Sequence, residues 1–200
     1  MRRPRLRRGF YARPTLEVAA DLIGKVLVHE VPAGRTAGRI VEVEAYIGED
    51  DPACHAAPGP TKRNAPLYGR PGIAYVYLNY GIHYLTNIVT ESNGFPAAVL
   101  LRALEPLEGI PLMRRRRARS TSRPPSAIDL NALCRGPGNL SKALGITLQQ
   151  NGLDVTRSAI CVEDWGLPVG ERVWSPRIGI RVGIDRVWRC HEVGSAAVSG

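Results

Sequence analysis

Several common features are missing from this 200-residue chain, and each absence narrows what the chain can be. No run approaches the roughly 18–20 consecutive apolar residues that a transmembrane helix needs. The basic N-terminus, MRRPRLRRGF, is not followed by the apolar stretch of a secretory signal, so a cytoplasmic location is expected. The length suits one domain, and the apolar fraction of 44% is ordinary for a globular protein.

Cysteine and lysine are both scarce. The four cysteines are widely scattered: Cys54, Cys134, Cys161 and Cys190. They form no CxxC pair, so zinc-ribbon spacing is absent and free thiols are expected. The three lysines lie outside the strands that carry the candidate site described below. A lysine nucleophile that forms a Schiff base is therefore disfavoured, and direct attack by water is favoured.

Short motifs for cofactors and common hydrolases are absent as well. There is no GxGxxG after a predicted strand, no GxxxxGK[ST] and no GxSxG, so nucleotide cofactors and a serine nucleophile are unsupported. The polar residues Asp50, Asp51, Cys54, His55 and His29 could in principle bind a metal. They lack a recognised ligand spacing such as HExxH, so the sequence predicts no metal and no cofactor.

Positive charge is concentrated in two segments. The net charge is +9, but residues 1–13 and 114–123 each hold six arginines and no acid, which leaves 15 basic against 18 acidic residues elsewhere. Such segments could bind a nucleic-acid phosphate backbone, where released counterions favour binding, or they are a solvated tail and a solvated loop.

We divide the chain into a disordered basic arm (1–9), a domain (10–190) with a basic flexible loop (114–127), and a tail (191–200).

Hydrophobic patterns predict helices and strands in no regular alternation. PTLEVAADLIG is expected to form a helix with Thr15 as N-cap and Gly24 at its end, and NLSKALGI one that is capped by Asn139 and ended by Gly145. KVLVHEV with RIVEVEAYI predicts a hairpin, and IAYVYLNYGIHYLTNIVT a second one that turns at 79–81. We therefore expect a single α+β domain with a curved, largely antiparallel sheet and few helices.

Two glutamates and a tyrosine share one face of the strand RIVEVEAYI. Side chains alternate across a strand, so Glu42, Glu44 and Tyr46 oppose the apolar residues between them. Their face is either the wet side of an edge strand or the floor of a site. Paired carboxylates can divide acid and base roles, and one carboxylate alone can activate water. The strand leads directly into a long loop with Asp51 and His55, where sites tend to form.

Polar residues in apolar strands and a cluster of tyrosines add to this picture. Arg102 lies within AAVLLRALEP, and burying it requires a carboxylate partner, for which both Glu42 and Glu44 are candidates. Asn87 lies in the returning strand of the second hairpin. Tyr80 lies at the tip of that hairpin, where an aromatic ring is free to stack on a base. Tyr75 and Tyr84 are interpreted as ordinary core residues.

Four segments together closely resemble the alkyladenine (3-methylpurine) DNA glycosylase family, including its bacterial members. They are GRIVEVEAYIGEDDPACHA, PGIAYVYLNYGIHYLTNIVT, AVLLRALEPLEG and LCRGPGNLSKALGI. They occur in the family's order and extend over roughly residues 10–185. The resemblance implies a single α+β domain and a monofunctional enzyme of base-excision repair that needs no metal or cofactor. Its substrate would be double-stranded DNA with damaged purines, and it would act as a monomer.

The resemblance also implies residue roles. Glu44 would be the general base that activates water, and Arg102 would help to hold that water and the carboxylate. The pocket for the flipped base would consist of Tyr46, His55, Tyr77 and Asn87. Tyr80 would enter the duplex through the minor groove, with Ile82 beside it. The family's substrates include 3-methyladenine, 7-methylguanine, hypoxanthine and ethenoadenine. The residue types alone leave two alternatives open, a non-catalytic nucleic-acid-binding module and a small glycosidase that uses Glu42 and Glu44 together.

Overall fold

One curved antiparallel sheet organises the protein, as the sequence predicts. A computed structural model describes residues 3–119 and 124–200, and eight strands lie within these ranges. The strands are Val26–Val31 (β1), Gly34–Ile47 (β2), Ala74–Asn79 (β3), His83–Val89 (β4), Ala97–Glu108 (β5), Ile160–Glu163 (β6), Arg172–Ser175 (β7) and Arg189–Glu192 (β8). Their order is β3-β4-β5-β2-β1-β6, and β8 joins β2 to β7. The long strand β2 thus contacts three neighbours.

Short helices cover this sheet. They are Arg8–Tyr11 (α1), Thr15–Leu22 (α2), Ile110–Ala118 (α3) and Pro137–Leu144 (α4). The main core contains buried side chains of α2 and α4, such as Leu22 and Leu140, together with Val43 and Ala45 of β2. Apolar residues recur at helical spacing in α2 and α4 and at alternate positions in β2, so one face of each element packs into the same core. The sheet and helices form the predicted α+β domain.

Both predicted hairpins are confirmed, while two helix starts differ from the prediction. Pro14 occupies the N-cap position of α2, and the Thr15 hydroxyl donates a hydrogen bond to Glu91 instead (2.8 Å). Helix α4 begins at Pro137 after Gly136, so Asn139 lies inside the helix. Proline is well suited to this start because the first N–H groups of a helix have no intrahelical partner. Gly145 ends α4 with φ 73°, as predicted.

The N-terminal arm was predicted to be disordered, and its described part is not. Residues 4–6 run along β6, where the Leu6 N–H donates to the Val162 carbonyl (2.9 Å) and Arg5 pairs with Glu163. Arg8 forms an ion pair with Asp154 (2.5 Å). Backbone pairing with an edge strand explains this order, because the edge offers unpaired donors and acceptors. Residues 1–2 lie outside the described part of the chain.

The predicted basic loop begins as a helix. Helix α3 continues to Ala118, and Arg116 donates to the Ala143 carbonyl of α4 (3.1 Å). A guanidinium that binds backbone carbonyls near a helix end stabilises that end, so part of this positive charge has a structural role. The central part of the predicted loop, 120–123, lies outside the described residues.

The predicted C-terminal tail is also part of the fold. Strand β8 includes positions 191 and 192, Ala197 is fully buried against Val41 and Ala103, and Ser199 is buried. Apolar burial and hydrogen bonding thus extend the domain well beyond residue 190.

All four cysteines are buried free thiols, as expected. In the described ranges, no helix combines the length and the apolarity required to cross a bilayer.

Candidate active site

The two glutamates on the polar face of β2 are completely buried, while Tyr46 on the same face is half-buried. Glu42 and Glu44 are both 0% exposed, as are Val43 and Ala45 on the opposite face. The face is therefore not the wet side of an edge strand. Its two carboxylates form an internal cluster of charges, and Tyr46, which continues the face, lines the pocket described below. Burying carboxylates is costly unless they are paired and hydrogen-bonded, so their partners define what this cluster does.

Irregular pairing between β2 and β5 brings Arg102 to both glutamates. The ladder pairs Glu42 with Ala103 and then Val43 with Leu101, so it skips Arg102. Such β-bulges bend a strand locally and re-aim a side chain. The Arg102 Nε contacts Glu42 Oε1 (2.9 Å) and its Nη1 contacts Glu44 Oε1 (3.1 Å). The expected carboxylate partner is thus both glutamates.

Glu44 is held by three different donors. Besides Arg102, the backbone N–H of Ile178 donates to Oε1 (2.7 Å) and the Tyr46 hydroxyl donates to Oε2 (2.9 Å). Burial, followed by the negative charge of Glu44, raises the pKa of Tyr46, so its hydroxyl stays protonated and available as a donor. A carboxylate fixed in this way can accept a proton from a water molecule, which is the task of a general base.

Glu42 supports the cluster. Its Oε1 also accepts a hydrogen bond from Arg189 Nε (2.6 Å), and its Oε2 accepts one from the backbone N–H of Ser199 (2.7 Å). Burial alone would raise the pKa of Glu42. The Arg102 charge and the hydrogen bonds from Ser199 and Arg189 outweigh burial and lower that pKa below the ordinary value. Glu42 is therefore an ionised anchor for two arginines.

This arrangement predicts how the Glu42→Gln variant responds to pH. Because the folded pKa lies below the unfolded value of 4.5, ionised Glu42 stabilises the protein above about pH 4.5. Its contribution is lost as the pH falls through the folded pKa. The difference in unfolding free energy between wild type and variant, measured by urea denaturation, should therefore shrink as the pH falls from 7 to 3. A difference that stays constant or grows would contradict this assignment.

A pocket of about 370 Å³ opens beside the cluster. Tyr46, Arg102 and Ile178, which all contact Glu44, line it on one side. The opposite walls are formed by the β3–β4 hairpin and by the loop that follows β2. The predicted pocket residues Tyr46, His55, Tyr77 and Asn87 all line it. The structure thus brings the predicted base pocket together with the predicted catalytic pair.

His55 and two tyrosines form the aromatic wall. The His55 ring lies 4.4 Å from the Tyr77 ring, centroid to centroid, and its Nδ1 shares a hydrogen bond with the Tyr75 hydroxyl (2.8 Å). Burial, and then the charge of Arg63, lower the pKa of His55, so its imidazole is neutral at pH 7. Asn64 fixes the loop by donating to the His55 carbonyl (2.8 Å). Tyr75 lines the pocket and orients His55, so it is more than the ordinary core residue that was expected.

Asn87 lies at the inner end of the pocket. It is 4% exposed, and its Nδ2 donates to the Tyr75 carbonyl (3.0 Å). This bond fixes the orientation of the amide because a buried polar group needs a partner. A rigid amide here limits the shape of the ring that can enter.

Tyr80 and Ile82 project from the tip of the β3–β4 hairpin. They are 87% and 73% exposed, far above the usual exposure of such large apolar residues. Tyr80 has φ 49°, a left-handed conformation that is uncommon for an aromatic residue. Strained residues cluster at functional sites, where their surroundings over-determine them. Tyr80 is one of the residues that line the pocket, and Ile82 lies two positions further along the hairpin.

A buried ion pair that the sequence did not reveal connects two walls of the pocket. Asp51 and Arg177 have fully buried side chains and are joined by two hydrogen bonds (2.6 and 2.8 Å). The Arg177 guanidinium also lies 4.6 Å from the centroid of the Tyr46 ring. Asp51 begins the turn that leads to His55, and Arg177 precedes Ile178. The pair therefore ties the His55 loop to the segment that holds Glu44.

Two of the five candidate metal ligands, Asp51 and His29, have other partners. Asp51 binds Arg177, and the buried His29 Nδ1 is hydrogen-bonded to the Leu144 carbonyl (2.9 Å). Throughout residues 3–119 and 124–200, there is no group of three or more His, Cys, Asp or Glu side chains arranged to hold a metal ion.

Comparisons with known proteins agree with this geometry. The chain matches the family described as Methylpurine-DNA glycosylase (MPG) over residues 9–196. A protein of Methanocella arvoryzae named "Putative 3-methyladenine DNA glycosylase" is 51% identical over 98% of this chain and 96% of its own length. A protein of the same name from Rubrobacter xylanophilus is 49% identical over 87% of this chain and 86% of its own length. Another, from Chlorobium phaeobacteroides, is 44% identical over 96% of this chain and 93% of its own length. The chain belongs to the methylpurine-DNA glycosylase family.

Proposed function

We propose that this DNA glycosylase is monofunctional and purine-specific. It flips an alkylated or deaminated purine out of duplex DNA and hydrolyses the N-glycosidic bond with a water molecule that Glu44 activates. The observation that carries the proposal is the fully buried Glu44 carboxylate, which is held by Arg102, Tyr46 and the Ile178 N–H. All three of these residues line an aromatic pocket. The products are a free purine and an abasic site.

The chemistry requires a base more than a strong acid. A purine alkylated at N3 or N7 carries positive charge and leaves readily, which creates an oxocarbenium-like sugar. Water then attacks C1′ and passes a proton to Glu44, while the negative charge of the carboxylate stabilises the sugar cation. Arg102 holds both the carboxylate and the attacking water. The breaking C–N bond sends its electron pair to the departing purine.

The pocket supplies selectivity through shape and flat surfaces. Tyr46, Tyr77 and His55 offer aromatic surfaces to a purine ring, and base stacking on such groups contributes about 1–3 kcal/mol per base. Asn87, fixed by its hydrogen bond to Tyr75, is proposed to clash with the exocyclic amine of guanine and so to disfavour intact guanine. 7-Methylguanine carries the same amine, but its positive charge weakens the glycosidic bond and offsets that clash. Flipping costs least for damaged bases, which adds to the selectivity.

The substrate class is 3-methyladenine, 7-methylguanine, hypoxanthine and ethenoadenine in double-stranded DNA. The site is built from one chain, so we propose that a monomer is active.

Tyr80 is proposed to fill the space that the flipped base vacates, with Ile82 beside it in the minor groove. Replacing Tyr80 with alanine should lower the single-turnover rate of base release about 5- to 150-fold, the equivalent of one lost stacking interaction. The side chain is almost fully exposed, so the unfolding free energy should change by less than about 0.5 kcal/mol. Leu148→Ala, another exposed apolar residue (50%), is the control and should keep the wild-type rate. A wild-type rate for Tyr80→Ala would exclude the proposed role.

A panel of duplexes, each with one lesion, tests the proposed function. The wild-type protein is incubated with each duplex in the presence of EDTA, and released bases are separated by chromatography. We expect free damaged purines from at least one member of the class and none from undamaged DNA. Salt-sensitive DNA binding without any released base would favour the non-catalytic binding module instead. Cleavage of free nucleosides or sugars without DNA, with Glu42 and Glu44 equally essential as acid and base, would favour the small glycosidase.

A further inference from the structure

The segment Ser195–Ser199 packs directly over the irregular pairing that presents Arg102. Ala197 is fully buried against Val41 on β2 and Ala103 on β5. Val41 and Arg102 are both skipped by the β2–β5 ladder, and Ala103 follows Arg102 in the chain. The segment thus covers the place where the strands depart from regular pairing, on the side of the buried charges.

Ser199 contacts three members of the charged cluster. Its N–H donates to Glu42 Oε2 (2.7 Å), its hydroxyl accepts from Arg102 Nη2 (3.1 Å), and its carbonyl accepts from Arg189 Nη2 (2.6 Å). Arg189 in turn binds Glu42 Oε1 (2.6 Å). All of these groups are buried, so water replaces a lost contact poorly and each contact restricts the side chains it joins.

The three contacts of Arg102 leave its guanidinium one orientation. Nε binds Glu42, Nη1 binds Glu44, and Nη2 binds the Ser199 hydroxyl. Contacts at all three nitrogens restrict the planar guanidinium more than the contacts of Nε and Nη1 alone would. Hydrogen bonds to a charged group are also stronger than those between neutral groups.

We infer that Ser199 is a positioning residue that orients Arg102 toward Glu44 and the attacking water. The inference rests on the proposed function, because it assigns Arg102 a part in the hydrolysis. Ser199 would act through Arg102 and does not line the pocket, so it should affect the rate of bond cleavage and not the affinity for DNA.

Single-turnover kinetics of Ser199→Ala on a lesion duplex, with protein in excess and its concentration varied, test this role. We expect the maximal rate constant to fall about 5- to 20-fold, as for loss of one charge-assisted hydrogen bond. The protein concentration that gives half the maximal rate should stay within about twofold of wild type. Ser195→Ala is the matched control, because the Ser195 hydroxyl lies in the same segment but binds Glu105 (2.7 Å). The control should keep the wild-type rate constant.

Three outcomes would overturn the inference. Equal maximal rate constants for Ser199→Ala and wild type would exclude the positioning role and leave the proposed function standing. A fall shared equally by Ser195→Ala, or one matched by weaker DNA binding and a lower thermal midpoint, would assign Ser199 a purely structural part. If the wild-type protein released no base from any lesion duplex, the proposed function would fail and the positioning role with it.

Discussion

Replacing Glu44 with glutamine should lower the single-turnover rate of base release by about 10²- to 10⁴-fold, the usual contribution of a positioned general base. Glutamine has nearly the same shape and can still accept the Ile178 N–H, so the pocket should remain intact. The amide cannot take a proton from water, and it places no negative charge beside the sugar cation. The affinity for the lesion duplex should stay close to that of wild type, because the loss concerns the transition state.

A matched control separates catalysis from stability in this experiment. Glu192 is also buried, and it also accepts hydrogen bonds from one arginine and one backbone N–H, those of Arg39 (2.6 Å) and Gly170 (2.7 Å). Its two partners, unlike those of Glu44, do not line the pocket. Glu192→Gln should therefore cost a similar amount of stability, measured by urea denaturation, and keep the wild-type rate of base release. If Glu44→Gln kept full activity, Glu44 would not be the base.

Removing the carboxylate of Asp51 should produce the largest loss of stability. Asp51→Ala leaves the fully buried Arg177 without its ion-pair partner, and breaking a buried pair in this way costs about 3–5 kcal/mol. The backbone N–H of Ala53 also loses its acceptor. The measurement is the free energy of unfolding from urea denaturation, extrapolated to zero denaturant. Activity should fall as well, because the pair ties the His55 loop to the segment that holds Glu44.

The exposed pair of Arg13 and Asp21 provides the comparison. Their side chains are 33% and 45% exposed, and their nitrogen–oxygen distance of 2.9 Å is similar to those of the buried pair. Because surface ion pairs are screened by solvent, Asp21→Ala should cost less than about 1 kcal/mol and leave the activity unchanged. If Asp51→Ala lowered the free energy of unfolding by an equally small amount, the buried pair would not be what stabilises the connection between the two walls of the pocket.

Local patterns in the sequence predicted much of the sheet and of the pocket. Alternation along β2 placed Glu42, Glu44 and Tyr46 on one face, and the need to compensate a buried charge predicted a carboxylate partner for Arg102. Strand periodicity alone could not separate the two glutamates. Their other partners differ in the structure, because Arg102 binds both carboxylates while only Glu44 also binds Tyr46 and Ile178.

The remaining features depend on contacts between distant parts of the chain. Asp51 and Arg177 are 126 positions apart, and Ser199 and Glu42 are 157 apart. No short motif carries such pairings, because the two residues of each pair lie in distant segments of the chain. For this reason the prediction of a tail at the C-terminus was wrong. The segment GSAAVSG has the composition of an unstructured segment, but Ala197 packs against Val41 and Ala103 of the sheet. The prediction of a disordered basic arm was wrong because the arm pairs with β6 through backbone atoms, and such pairing does not depend on the type of side chain.

The central claim is that water, activated by Glu44, attacks the sugar directly. The most direct measurement follows one methylated duplex with wild-type protein and sodium borohydride, which traps any imine between protein and sugar. Our account predicts free 3-methyladenine, an intact strand with an abasic site, and no covalent protein–DNA complex. A trapped complex that forms as fast as base is released would show that an amine of the protein is the nucleophile, and it would contradict the account.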